Sequence, residues 1–83
     1  MDSKYILYVH EDCPFCKKAS SLLREKNKNF NTLGLKRRPK VLAELKKIYD
    51  WPTVPIIVEQ HMYENASTLV GGYTDLCMHL ESK

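Results

Sequence analysis

Apolar positions along this chain fall into short runs separated by polar punctuation. "KYILYV" (Lys4–Val9) is an apolar run rich in β-branched and aromatic residues. Such a run predicts a strand covered on both faces. The period then changes. Pro14 fits the first turn of a helix, where its missing N–H costs nothing. Ala19, Leu22, Leu23 and Lys26 follow at helical spacing, the last through its aliphatic stem, and "NKN" at Asn27–Asn29 stops the helix. "FNTLGL" (Phe30–Leu35) alternates apolar with small or polar residues, as a second strand does.

Pro39 opens a second helix, in which Val41, Leu42, Leu45, Ile48 and Tyr49 form the stripe of one buried face. Pro52 forbids its continuation and pushes Trp51 toward extended geometry. "VPIIVE" (Val54–Glu59) is the third strand, "QHMYENAS" reads as a polar turn, and "TLV" is a short fourth strand. Gly71 and Gly72 break it, and Thr74–Leu80 forms a last helix with Leu76, Cys77 and Leu80 inward. The order is β-α-β-α-β-β-α. An early βαβ unit implies parallel pairing with a right-handed crossover. The last two strands form a hairpin, so a four-stranded mixed sheet is expected. No repeat, low-complexity segment or boundary interrupts residues 1–83, which read as a single domain.

Composition narrows the function. At 83 residues and 43% hydrophobic, the chain is sized for one small core. No apolar run approaches the ~20 residues of a membrane span. The start, "MDSKYILYVHED", turns to charge too soon for a secretory signal. A soluble cytoplasmic protein with no membrane partner is expected, in which the sequon-like "NAS" at Asn65–Ser67 has no use. The net charge is +3, and the basic clusters "KNKNF" and "LKRRPK" read as solvated faces. They lack the basic–aromatic interleaving of a nucleic-acid surface, so no nucleic-acid partner is expected.

The chemistry lies in "HEDCPFCKKA" (His10–Ala19). A secreted disulfide scaffold carries more than three cysteines, and in pairs. Zinc takes four nitrogen or sulfur ligands. Cys13 and Cys16 have only Cys77 and three scattered histidines to join them, so no metal site is expected. Cys13 ends the first strand and begins the first helix, where free N–H groups and the helix dipole favour a thiolate. Cys16 lies one turn on, within reach and less exposed. The two form a plausible pair of nucleophile and resolving thiol, with Lys17, Lys18 and His10 adding positive charge. No carboxylate–histidine relay supports a Cys13–His10 hydrolase dyad. Cys77 reads as a buried, inert thiol.

Three stretches together, "CPFC" (Cys13–Cys16), "TVP" (Thr53–Pro55) and "GGYTDL" (Gly71–Leu76), resemble the glutaredoxin family in order and spacing, over nearly the whole chain. The resemblance implies a thioredoxin fold and a monomeric glutathione-dependent thiol–disulfide oxidoreductase, with glutathione as reductant. Its partners would be disulfide-containing or glutathionylated proteins. Carried over residue by residue, Cys13 is the nucleophile and Cys16 the resolving thiol. Phe15 flanks glutathione, Thr53 and Val54 offer backbone to it, and Pro55 is a cis-proline. Gly72 permits close approach. Thr74 and Asp75 give N–H groups to the γ-glutamyl carboxylate, and the Asp75 carboxylate meets the ammonium. Tyr73 packs. His10 stands where the family often has a lysine that contacts glutathione, and a histidine is only partly charged at neutral pH.

Other departures follow. "DWP" precedes "TVP" where dithiol members often carry basic residues, and "WPT" resembles the monothiol CGFS members that bind iron–sulfur clusters. The hairpin "EQHMYENASTLV" is longer than usual, with residues 60–68 as its loop. No second-helix residue plainly matches the contact to the glycine carboxylate, Lys46 and Lys47 being the nearest. Two other readings stay open. One is a redoxin serving ribonucleotide reductase through thioredoxin reductase, against which "GGYTDL" counts. The other is an iron–sulfur cluster carrier, for which only "WPT" speaks.

Overall fold

The computed structural model describes residues 3–61, 63–64 and 66–81. Strand β1 (Ser3–Val9) is followed by α1 (Pro14–Glu25), β2 (Phe30–Gly34), α2 (Pro39–Ile48), β3 (Ile56–His61), β4 (Ala66–Gly71) and α3 (Tyr73–Glu81). The sheet order is β2-β1-β3-β4. β1 runs parallel to β2, with Tyr5 opposite Phe30 and Val9 opposite Gly34. It runs antiparallel to β3, and β3 runs antiparallel to β4. The expected element order and mixed sheet are those of the structure.

Both early helices end on residues in the left-handed region, Asn27 (φ 55°) and Asp50 (φ 51°). After α1, the Lys28 N–H reaches Leu23 O at 2.9 Å and the Asn27 N–H reaches Arg24 O at 3.1 Å. After α2, the Trp51 N–H reaches Lys46 O at 2.9 Å and the Asp50 N–H reaches Lys47 O at 3.3 Å. These paired bonds absorb the last helical carbonyls without glycine. They turn α1 sharply into β2 and α2 sharply toward Pro52. Lys26, expected to lay its stem inward, is exposed as the α1 C-cap.

The two faces of the sheet differ. Tyr5, Leu7 and Val9 of β1 join Ile57, Cys16, Ala19, Leu23 and Leu76 in a dry core under α1 and α3. On the other face Ile56 and Val58 of β3 are buried while Ile6 and Tyr8 of β1 are half-buried, so β1 is covered on both faces but less completely on this one. The reason is α2, none of whose residues is buried. Its sheet-facing stripe is Leu42, Leu45, Lys46 and Tyr49, all half-buried, whereas Val41 and Ile48 stand 41% and 68% exposed. A helix of 10 residues leaning on the sheet covers only a narrow stripe, and the wider stripe read from the sequence runs past it. The rings of Tyr8 and Tyr49 meet at 6.4 Å.

One polar cluster sits inside the core. Glu59, 3% exposed, accepts from the Tyr5 hydroxyl at 3.5 Å, and His79 Nε2 lies 3.0 Å from its Oε1. Burial, reinforced by the Glu59 charge, pushes the Tyr5 phenol up to about 12.

The hairpin also differs from expectation. Pairing continues out to His61 opposite Ala66, so much of the expected 60–68 loop is strand. Met62 and Asn65 within it lie outside the described residues, and with Asn65 the sequon-like triplet. A register shift at Ile57/Val58 sets Ile57 opposite Gly71 and Val58 opposite Leu69. It re-aims the end of β4 toward α3.

These burial differences predict where stability resides. Leu23→Ala, which empties a fully buried site, should cost about 2–5 kcal/mol in urea unfolding. Ile48→Ala should stay within about 0.5 kcal/mol. Equal losses would show that α2 packs as tightly as α1.

Candidate active site

Cys13 is the N-cap of α1, with extended backbone (φ −88°, ψ 117°), and Pro14 fills the first helical position. Its Sγ accepts the Cys16 N–H at 3.3 Å. The Cys16 N–H, one of the donors left free at a helix start, thus points at the sulfur. The Cys13 N–H donates to His10 O at 3.0 Å and closes the turn that leads in from β1. All three cysteines are free thiols. Cys13 is partly exposed and Cys16 is buried.

Burial pushes the Cys16 thiol up to about 12, helped by its hydrogen bond with Cys13 and opposed by one from the His10 backbone. At neutral pH it is a proton-bearing reserve beside the exposed sulfur.

Across from Cys13, the Val54–Pro55 peptide is cis. The Cys13 thiol donates weakly to Val54 O at 3.9 Å. That carbonyl marks the end of a groove of about 350 Å³, lined by Phe15, Trp51, Thr53, Val54, Pro55, Gly72, Tyr73, Thr74 and Asp75. Three chain segments far apart in sequence meet here. The first turn of α1 gives Phe15, the link after α2 gives residues 51–55, and the start of α3 gives residues 72–75.

At the α3 start, Gly71 adopts φ +120°. A Cβ there would lie 2.8 Å from the Asp75 carboxyl carbon, so both conformation and space call for glycine. Asp75 Oδ2 accepts the Gly72 N–H at 3.0 Å, one half of a capping box.

Of the eight residues expected around glutathione, seven line this groove: Phe15, Thr53, Val54, Pro55, Gly72, Thr74 and Asp75. His10 is not among them. It lines a second cavity of about 190 Å³ with Val9, Glu11, Cys16, Lys17, Ser20 and Thr32. Two lining residues were not read as such from the sequence. Trp51 is expected only as an extended residue before Pro52 in "DWP" and "WPT", and Tyr73 only as packing. The Tyr73 ring stands 6.2 Å from Phe15, so the groove is walled by aromatics. An aromatic beside each backbone motif was the available signal. Lys18 Nζ rests 5.2 Å from the centre of the Phe15 ring, a cation at the rim.

Cys77 is half-buried rather than sealed in the core, and it shares a hydrogen bond with Tyr73 that raises the tyrosine's pKa. Among the described residues, no three His, Cys, Asp or Glu side chains are grouped to hold a metal ion, and no helix is long and apolar enough to cross a membrane.

The family model for glutaredoxins matches residues 5–62. The solution structure of a glutaredoxin from Brucella melitensis superposes with a TM-score of 0.69, at 24% identity, over 95% of this chain and 79% of that one. The crystal structure of a thioredoxin-like protein superposes at 0.64, with 18% identity, over 92% of this chain and 96% of the other. The fold is therefore thioredoxin-like. No curated protein matches the sequence.

The raised Cys16 thiol carries a signed prediction. Between its ordinary 9.0 and about 12, the folded protein holds a proton that the unfolded chain has released. Stability contributed by Cys16 is thus full below pH 9 and falls as pH rises toward 12. The melting temperature of the reduced protein should drop as pH rises through this window, and less steeply in Cys16→Ala. Parallel slopes in the two proteins would refute the assignment.

Proposed function

The chain belongs to the glutaredoxin family of thiol oxidoreductases, and from that premise we propose that it is a glutathione-dependent dithiol enzyme. It would reduce glutathionylated proteins and protein disulfides. The observation that carries this reading is the placement of the Cys13 sulfur at a helix N-terminus, 3.9 Å from the Val54 carbonyl at the end of an aromatic groove.

The cycle follows from that placement. The Cys13 thiolate attacks the glutathione sulfur of a mixed disulfide. The old S–S bond breaks, the protein thiolate leaves with the electron pair and takes a proton from solvent, and Cys13 is left bonded to glutathione. A second glutathione thiolate attacks the bound glutathione sulfur, forms oxidised glutathione and returns Cys13 as thiolate. For a protein disulfide, Cys13 first forms a mixed disulfide with the substrate. Cys16 then loses its proton and attacks Cys13 Sγ, which closes the Cys13–Cys16 bond and releases the reduced substrate. Two glutathiones then reopen that bond.

The groove supplies what a peptide-like thiol needs. The Val54 backbone is available to pair with the cysteinyl unit of glutathione as strand pairs with strand. Phe15 and Tyr73 offer flat apolar walls. The first N–H groups of α3 suit a carboxylate, and Asp75 suits the neighbouring ammonium. Asp75 has two tasks here, because one oxygen already caps the Gly72 N–H. Cytoplasmic location and a ribonucleotide reductase partner belong to this proposal only as instances of where such a reductant operates.

The decisive experiment is a coupled assay with glutathione, glutathione reductase and NADPH on a small glutathione mixed disulfide. Cys13→Ser should be inactive. Cys16→Ser should keep this activity, which needs one protein thiol, and lose most reduction of protein disulfides. Equal inactivity of both variants would overturn the assignment of roles.

Asp75→Asn separates the two tasks of that side chain. The amide oxygen can still cap Gly72, so the melting temperature should hold. Loss of the charge should weaken apparent glutathione affinity roughly tenfold or more, since a charge-assisted contact contributes about 1.5–3 kcal/mol. Unchanged affinity would reduce Asp75 to a helix cap.

A further inference from the structure

The turn that leads into Cys13 carries two adjacent carboxylates, Glu11 and Asp12. Acids so close to a thiolate oppose its charge by simple Coulomb repulsion. Both, however, are tied to a single residue on the β2–α2 connection. The Lys36 N–H donates to Glu11 Oε1 at 2.9 Å, and the Lys36 ammonium pairs with Asp12 Oδ2 at 2.8 Å. The ion pair holds the Asp12 carboxyl below the usual carboxylate range and raises the lysine.

The seat beneath this strap is Gly34. A Cβ on Gly34 would lie 2.7 Å from Glu11 Cδ, 2.8 Å from Oε1 and 3.0 Å from Oε2. The Glu11 carboxylate therefore lies flat on the glycine backbone. A Cβ at Gly34 would meet the end of the exposed Glu11 side chain and push that carboxylate off its seat, while the Gly34 φ is outside the left-handed region. Gly34 is also the last residue of β2, opposite Val9, and the next N–H, that of Leu35, donates to Val9 O at 2.8 Å. The seat is thus part of the parallel β1–β2 pairing. On the other side, the Cys13 N–H to His10 O bond makes Glu11, Asp12 and Cys13 parts of one turn.

We propose that Glu11 is a positioning residue for the thiol chemistry: seated on Gly34 and held by the Lys36 amide, its carboxylate anchors the turn that presents Cys13 Sγ at the N-terminus of α1. Thiol–disulfide exchange requires the attacking sulfur in line with the bond it breaks, and small displacements of a reacting atom cost large factors in rate. A strap from sheet to turn restricts the turn without touching the substrate, so it acts on the rate of attack and not on binding.

The kinetic arm of the test rests on the glutathione-dependent activity proposed above, and the exchange arm does not. Glu11→Ala and Gly34→Ala should each lower kcat for a glutathione mixed disulfide roughly tenfold, with KM within about twofold. Gly34→Ala does so while leaving every ionisable group in place. Glu11→Gln, whose amide oxygen can accept the same N–H, should recover most of the rate. Amide hydrogen exchange at Cys13 should accelerate in both alanine variants and return toward wild type in Glu11→Gln, while amides of β1 stay unchanged. Wild-type kcat in both alanine variants would overturn the proposal. So would a Glu11→Gln variant as slow as Glu11→Ala, since charge and not the strap would then matter. If the wild-type protein fails to turn over the mixed disulfide, the functional reading fails, and exchange at Cys13 alone decides. Unchanged exchange in Glu11→Ala and Gly34→Ala then removes the strap.

Discussion

A sulfur caps the first helix, and the rest of the active site is arranged around that bond. The Cys16 N–H points at Cys13 Sγ at 3.3 Å, in the place where serine, threonine, aspartate or asparagine usually accepts. Sulfur is a weak acceptor, so the helix start draws on other supports. Pro14 presets the first helical φ, and the His10 carbonyl closes the preceding turn on the Cys13 N–H. Glu11 and Asp12 hold that turn to Lys36. The cap that sulfur makes weakly also leaves it at a helix N-terminus, a position whose dipole favours negative charge.

The uneven cover of the sheet serves that arrangement. The face under α1 and α3 is dry and tightly packed, so β1, α1 and the start of α3 are fixed relative to one another. Those elements carry Cys13, Phe15 and Asp75. The opposite face buries Ile56 and Val58 of β3, but α2 has no buried residue of its own. Its contribution to the site is made by its end. Asp50 turns the chain in the left-handed region, the Trp51 N–H ties back to Lys46 O, and the link to Val54–Pro55 forms one wall of the groove.

Much of this was legible in the chain. The apolar run of β1, the prolines opening α1 and α2, and the Gly71–Gly72 break before α3 are local signals, and each marks its element to within a few residues. Seven of the eight expected ligand residues converge because they sit on motifs bound to backbone geometry: a helix start, a cis-proline and a glycine turn. Three of the misreadings share one cause. Lys26, Val41 and Ile48 have the right period for a buried face, but period does not report how much surface a neighbour covers. His10 lies two residues from Asp12 along the chain, yet the turn aims it at the cavity behind Cys16 and away from the groove.

By itself, then, the sequence determined the order and type of the elements, the pairing of Cys13 with Cys16 and the residues able to cap or turn, since these depend on interactions within a few positions. Tertiary structure decided what depends on distant segments meeting. It recruited Trp51 and Tyr73 as groove walls, and placed Gly34 beside the Glu11 carboxylate that the Lys36 amide binds. Such contacts join residues as distant as Phe15 and Tyr73, or Cys13 and Val54, 41 positions apart, and no local pattern encodes a distance that only the paired sheet creates.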